Sequence, residues 1–86
     1  MRIIKTINSD PKLNTMLVKG GLFGKKTLGN VHWGDAIMPR HKGERMFVIV
    51  TEDGKGGKVT GCASCFDHAC DMLLQELGIM KLVIGK

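Results

Sequence analysis

Arg45-Met46-Phe47-Val48-Ile49-Val50-Thr51, then Glu52-Asp53-Gly54-Lys55-Gly56-Gly57, then Lys58-Val59-Thr60-Gly61, is the stretch whose reading decides the fold. The first run is rich in β-branched and aromatic residues and free of Gly and Pro, so it reads as a strand. Asp53-Gly54 marks a reversal, and the second run reads as the return strand of a hairpin. Met46, Val48 and Val50 fall on one face of the first strand and Phe47 and Ile49 on the other. Apolar residues on both faces indicate an internal strand, or an interface on the second face.

Immediately afterwards the period changes from two to 3.6. Phe66, Ala69, Cys70, Leu73, Leu74 and Leu77 follow the i, i+3, i+4, i+7 pattern of an apolar helical stripe. Ser64 is the expected N-cap, Asp67 suits the positive helix N-terminus, and Gly78 is the expected stop. Downstream, residues 79–84 read as a closing strand. Upstream, residues 2–7 and 13–19 read as two strands that pair as a hairpin about Asn8-Ser9-Asp10-Pro11. Between Gly20 and Gly43 six glycines interrupt the chain, so residues 20–44 are expected to be a basic, glycine-rich loop region with short strand pieces at 31–33 and 36–38.

The expected architecture is α+β: a small antiparallel sheet of about four to five strands, one amphipathic helix at about residues 64–77 packed on one face, and a final strand at about 79–84. The 86 residues are expected to form one domain, with the loop region 20–44 followed by a hairpin–helix–strand unit at 45–84. A chain of this size buries only about 60–65% of its unfolded surface, and dimerisation is one way to add more. An apolar fraction of 43% against 24% charged residues is ordinary globular usage and argues against disorder.

Charge is unevenly placed. Of the 13 Lys and Arg residues, only Lys81 and Lys86 lie after residue 58, while three of the eight acids do. The first two thirds of the chain is therefore strongly basic and the helical part mildly acidic, a bias that suits a polyanionic partner. Charges at Arg2 and Lys5 interrupt the apolar start, so no export signal is expected. No run approaches the roughly 18 apolar residues of a membrane helix. Three cysteines within nine residues do not make a disulfide framework, and reduced thiols in the cytoplasm are expected.

Cys62-Ala63-Ser64-Cys65 with His68 and Cys70 offers thiol and imidazole donors. As a metal set, however, Cys62, Cys65, His68 and Cys70 all come from one short segment, and Cys65 and Cys70 diverge by about 140° around a helix. Cys70 also belongs to the apolar stripe, so packing cysteines are the better reading and no metal or other cofactor is expected. A thioredoxin-like arrangement would need more sheet after its cysteine motif than the chain supplies.

Gly20-Gly21-Leu22-Phe23-Gly24-Lys25-Lys26-Thr27 lacks the spacing and the following helix of a nucleotide-binding phosphate loop. Its backbone and lysines nonetheless suit phosphate contacts. No paired carboxylates, no Ser-His-Asp set and no Cys-His pair on separate elements is legible, so no enzyme is expected.

The leading expectation is a small basic protein that binds DNA or RNA through sheet and loop cations. Its contacts are expected at Lys25, Lys26, Arg40, Lys42, Arg45, Lys55 and Lys58, with Trp33 as a stacking aromatic. The alternative is a protein-binding module or inhibitor of the kind mobile elements encode, which covers an acidic patch on a partner protein.

Overall fold

The computed structural model describes residues 2–21, 24–36, 43–52, 54 and 56–79. Five strands follow one another: β1 (Arg2–Thr6), β2 (Thr15–Gly20), β3 (Lys26–Asp35), β4 (Arg45–Thr51) and β5 (Lys58–Ala63). One helix, α1 (Phe66–Glu76), comes after them. The strands lie in the sheet in chain order, each antiparallel to its neighbours. The chain is thus an α+β fold, its described residues forming an open five-stranded meander with one helix laid on one face.

Residues directly opposite on neighbouring strands share a face. Met16, Val31, Ile49 and Gly61 pair in one row, and Trp33, Phe47 and Ala63 in another. Onto these rows α1 lowers Phe66, Ala69, Cys70 and Leu73, which with Met16, Val18, Val31, Phe47, Ile49 and Ala63 form the buried core. Four residues of the helical stripe read from the sequence are these buried ones, and Leu74 and Leu77 are half-buried against them. On the other face run Ile4, Leu17, Asn30, Val50 and Val59, and beside them His32, Val48 and Cys62. Phe47, Val48 and Ile49 are all buried, as the two-faced apolar pattern of an internal strand requires.

The glycine-punctuated region holds a correction. Instead of a loop with short strand pieces, residues 26–35 form β3, the longest strand and the middle one of the five. Glycine in this strand marks close approach rather than a break. A Cβ on Gly29 would stand 2.7 Å from the carbonyl oxygen of Val50 and 2.8 Å from Cδ1 of Leu73. Gly29 is therefore what lets α1 sit down on the sheet. Of the expected piece at 36–38, Ala36 is buried and its N–H donates to the carbonyl of Glu44, while residues 37 and 38 lie outside the described residues.

The helix start is also shifted by one residue. Ser64 is not the cap; Cys65 is, with extended backbone (φ −113°, ψ 133°) and no side-chain capping bond. Serine would satisfy a first-turn N–H from that position, but the helix begins only at Phe66 with Cys65 as its cap, so Ser64 stands too early. The stop is as expected. Gly78 has φ +74°, its N–H donates to the Gln75 carbonyl, and the Ile79 N–H donates to the Leu74 carbonyl. That pair of bonds is a Schellman closure, with Ile79 and Leu74 both packed against the core. The expected closing strand lies outside the described residues beyond Ile79.

Between β1 and β2 a 3-10 turn, Pro11–Leu13, is set by proline at its start and by Asp10, whose carboxylate accepts from the Lys12 N–H. Asn14, the buried polar residue of the chain's described part, accepts from the Asn8 N–H. Asn8 in turn donates through its side-chain amide to the Leu13 carbonyl. These bonds close the first hairpin, the pairing of the first two strands expected from the sequence.

Candidate nucleic-acid interface

The strand register sorts the cations by end of the sheet. Arg2 pairs with Lys19, Lys19 with Thr27, Gly20 with Lys26, and Thr51 with Lys58. These pairs all lie at the end where the β2–β3 and β4–β5 connections turn. Gly21 and Gly24 take positive φ (87° and 63°), and the Gly24 N–H donates to the Gly21 carbonyl, a tight reversal that delivers Lys25 and Lys26 to the same end. Arg2, Lys25, Lys26 and Lys58 are exposed and Lys19 is half-buried. Among the described residues the acids toward this end are Glu52, after β4, and Glu76, at the C-terminus of α1. Five cations thus face a smaller opposing charge over a span of five strands, about 19 Å at a strand spacing near 4.8 Å.

The opposite end is built differently. Arg45 pairs with Asp35 across β3 and β4, and its Nε lies 3.7 Å from the Asp35 carboxylate, both side chains being exposed. Asp10, Glu44 and Asp67 belong to the same end, so Arg45 is partly neutralised where it stands. Trp33 meets Phe47 edge-to-face at 5.0 Å, and Phe47 meets Phe66 at 5.4 Å. The Lys12 ammonium stands 5.5 Å from the Trp33 ring centroid, a cation–π contact. An open cleft of about 500 Å³ lies nearby, between the 3-10 turn and the start of α1, with Ile7, Pro11, Asn14, Phe47 and Phe66 in its walls and Asp67 at its rim.

The structure therefore brings Lys25, Lys26 and Lys58 together and places Arg45 and Trp33 at the other end. Trp33 packs against the core and lies away from the cationic end, with Lys12 over its ring. Arg40, Lys42 and Lys55 lie outside the described residues. Arg2 and Lys19 belong to the cationic end and were not singled out from the sequence. The signal that finds them is the register of the first hairpin, which puts Arg2 opposite Lys19.

The thiol–imidazole set is dispersed. Cys62 pairs with Val48 on the face away from α1, whereas Cys70 is buried between α1 and the sheet. Cys65 and His68 are exposed at the helix start. The sheet itself separates Cys62 from Cys70, and among the described residues no group of three or more His, Cys, Asp or Glu side chains converges as a metal site. All three cysteines are free thiols. Burial pushes the Cys70 thiol up to about 11, against which the nearby Lys5 ammonium pulls down.

No protein-family model matches the chain, and no curated protein or solved structure matches it. No helix among the described residues is long and apolar enough to cross a membrane.

Proposed function

We propose that the chain binds a nucleic acid through the cationic end of its sheet. The observation that carries this reading is the gathering of Arg2, Lys19, Lys25, Lys26 and Lys58 at one end of the meander. Charges held by strand register and tight turns meet phosphates without the ordering cost that a flexible basic tail incurs. Among the described residues the aromatics Trp33, Phe47 and Phe66 are engaged with one another, so affinity comes from the phosphate backbone more than from base stacking. A cytoplasmic setting accords with three thiols that have no disulfide partner.

The test is a salt series of binding titrations with duplex and single-stranded nucleic acid. For each phosphate neutralised the slope of log K against log salt is about −0.9 on duplex and −0.7 on single strands. Replacing Lys19, Lys26 or Lys58 singly by Gln is expected to make the slope shallower by about one. Arg45→Gln is expected to leave the slope unchanged, because that side chain lies at the far end beside Asp35. Absence of binding at low salt rejects the reading. A protein ligand with an acidic surface is the second reading, since the same cluster complements it. Capture of one partner that survives nuclease treatment of the sample supports that reading instead.

A further inference from the structure

The first strand has no fully buried residue. All five residues of β1 are exposed, and the exposed large apolar side chains among the described residues are Ile3, Ile4, Ile7 and Leu13, all on β1 or the connection that follows it. Among the described residues β1 is also an edge, hydrogen-bonded to β2 alone. Folded proteins usually disarm such an edge with charged side chains, a bulge, a proline or a covering element, and of these β1 carries the first, in Arg2 and Lys5. Here the β1–β2 ladder runs through five residue pairs with no register shift, and no proline falls within the strand. The edge at β5 differs: its ladder with β4 is broken between Ile49 and Val50, and α1 lies against it. A bulge adds local twist and makes continued pairing harder.

We propose that β1 is a self-pairing edge, joining two copies of this chain antiparallel about a two-fold axis at Ile4. A second copy fits this edge because of the strand's own order, Arg2-Ile3-Ile4-Lys5-Thr6. A two-fold axis perpendicular to the sheet keeps residues of one face opposite residues of the same face, so the strand centres on a residue. Centred on Ile4, all five residues pair. Ile4 meets Ile4 of the second copy, Ile3 meets the aliphatic stem of Lys5, and Arg2 meets Thr6, with no cation opposite a cation. Centred on Lys5, two ammonium groups oppose each other. Centred on Ile3, only three pairs remain within the strand. The Ile4 register gives a continuous ten-stranded sheet with both helices on one face and the two cationic ends pointing in opposite directions. A five-residue edge lies below the roughly 1,200–2,000 Å² of a standard interface, so the dimer is weak, with a dissociation constant on the order of micromolar to tens of micromolar.

The experiment is sedimentation equilibrium of the full chain over a range from about 1 to 500 µM, in high salt so that no nucleic acid bridges the copies. The expected result is a rise from monomer to dimer mass. Ile4→Lys is expected to remain monomeric throughout with an unchanged far-UV spectrum, since Ile4 is exposed in the single chain. A wild-type mass that stays monomeric over the whole range overturns the proposal, and so does an undiminished dimer in Ile4→Lys. The register is read separately in a Cys65→Ser background. Directly opposed strand residues have Cα atoms about 4.5–5.5 Å apart, within disulfide range, whereas Ile3 and its copy are about 8 Å apart. Ile4→Cys is expected to form a covalent dimer on mild oxidation faster than Ile3→Cys by tenfold or more. Equal or reversed rates overturn the Ile4 axis.

Discussion

Gly29 shows how one missing methyl group sets the distance between two layers. Its virtual Cβ collides with the Val50 carbonyl, which is backbone, as well as with Leu73, which is fully buried. At Gly61 the contact is instead with Cε of Met72 at 3.0 Å, the mobile end of a flexible side chain. Gly29→Ala is therefore expected to destabilise the fold by about 1–3 kcal/mol, while Gly61→Ala costs well under half of that, as read by urea denaturation. Cys70 gives a second outcome at this scale. Its thiol ionises near 11 in the folded chain against 9.0 for an ordinary thiol, so above pH 9 the unfolded chain releases the proton first. The unfolded state then binds fewer protons than the folded state, and stability falls as pH rises from 9 to about 11. Cys70→Ala is expected to flatten that part of the stability profile. In native protein, alkylating reagents are expected to label exposed Cys65 and to reach Cys70 only on unfolding.

At the scale of elements, α1 is closed at one end and uncapped at the other. Gly78 in the left-handed region completes the Schellman bonds from Gly78 and Ile79, so Gly78→Ala is expected to cost about 1–2 kcal/mol in thermal unfolding. Ser64→Ala is expected to change stability by less than about 0.5 kcal/mol, because Ser64 is exposed and precedes the cap. The amphipathic stripe and its glycine stop were legible because a helix is a local structure with a short period. The cap was not, since a shift of one residue moves the first turn without disturbing that period. β3 was hidden for a related reason. Its glycines at 29 and 34 look like loop punctuation along the chain, and the need for Gly29 becomes visible only once Leu73, more than forty residues away, lies over it.

For the whole molecule the meander is decisive, because it converts a diffuse basic composition into a charged end. Five cations gathered there repel one another in the free protein, and a bound polyanion relieves that repulsion. A short duplex or heparin at low salt is expected to raise the melting temperature, through binding to the folded state alone. The gain is expected to disappear at about 1 M salt, where the screening length falls to about 3 Å. In Lys19→Gln/Lys26→Gln the low-salt gain is expected to shrink by more than half, while Arg45→Gln keeps it. A melting temperature unmoved by polyanion at low salt contradicts the charge assignment.

The sequence alone determined the class of fold, the first and last hairpins, the helix with its buried stripe and glycine stop, and the excess of positive charge before residue 59. Each of these is written in neighbouring residues, as a period of two, a period of 3.6, a turn dipeptide or a count of charges. Only the tertiary structure decided that residues 26–35 of the glycine-rich middle are the central one of the five described strands. It also placed Cys62 and Cys70 on opposite sides of the sheet, and it separated Trp33 and Arg45 from Lys25, Lys26 and Lys58. Those facts depend on which strands lie side by side and in what register, and register joins residues that are remote along the chain. The basic character legible in the quoted hairpin and its upstream half became one cationic end because an antiparallel meander returns Arg2, Lys19, Lys26 and Lys58 to the same side.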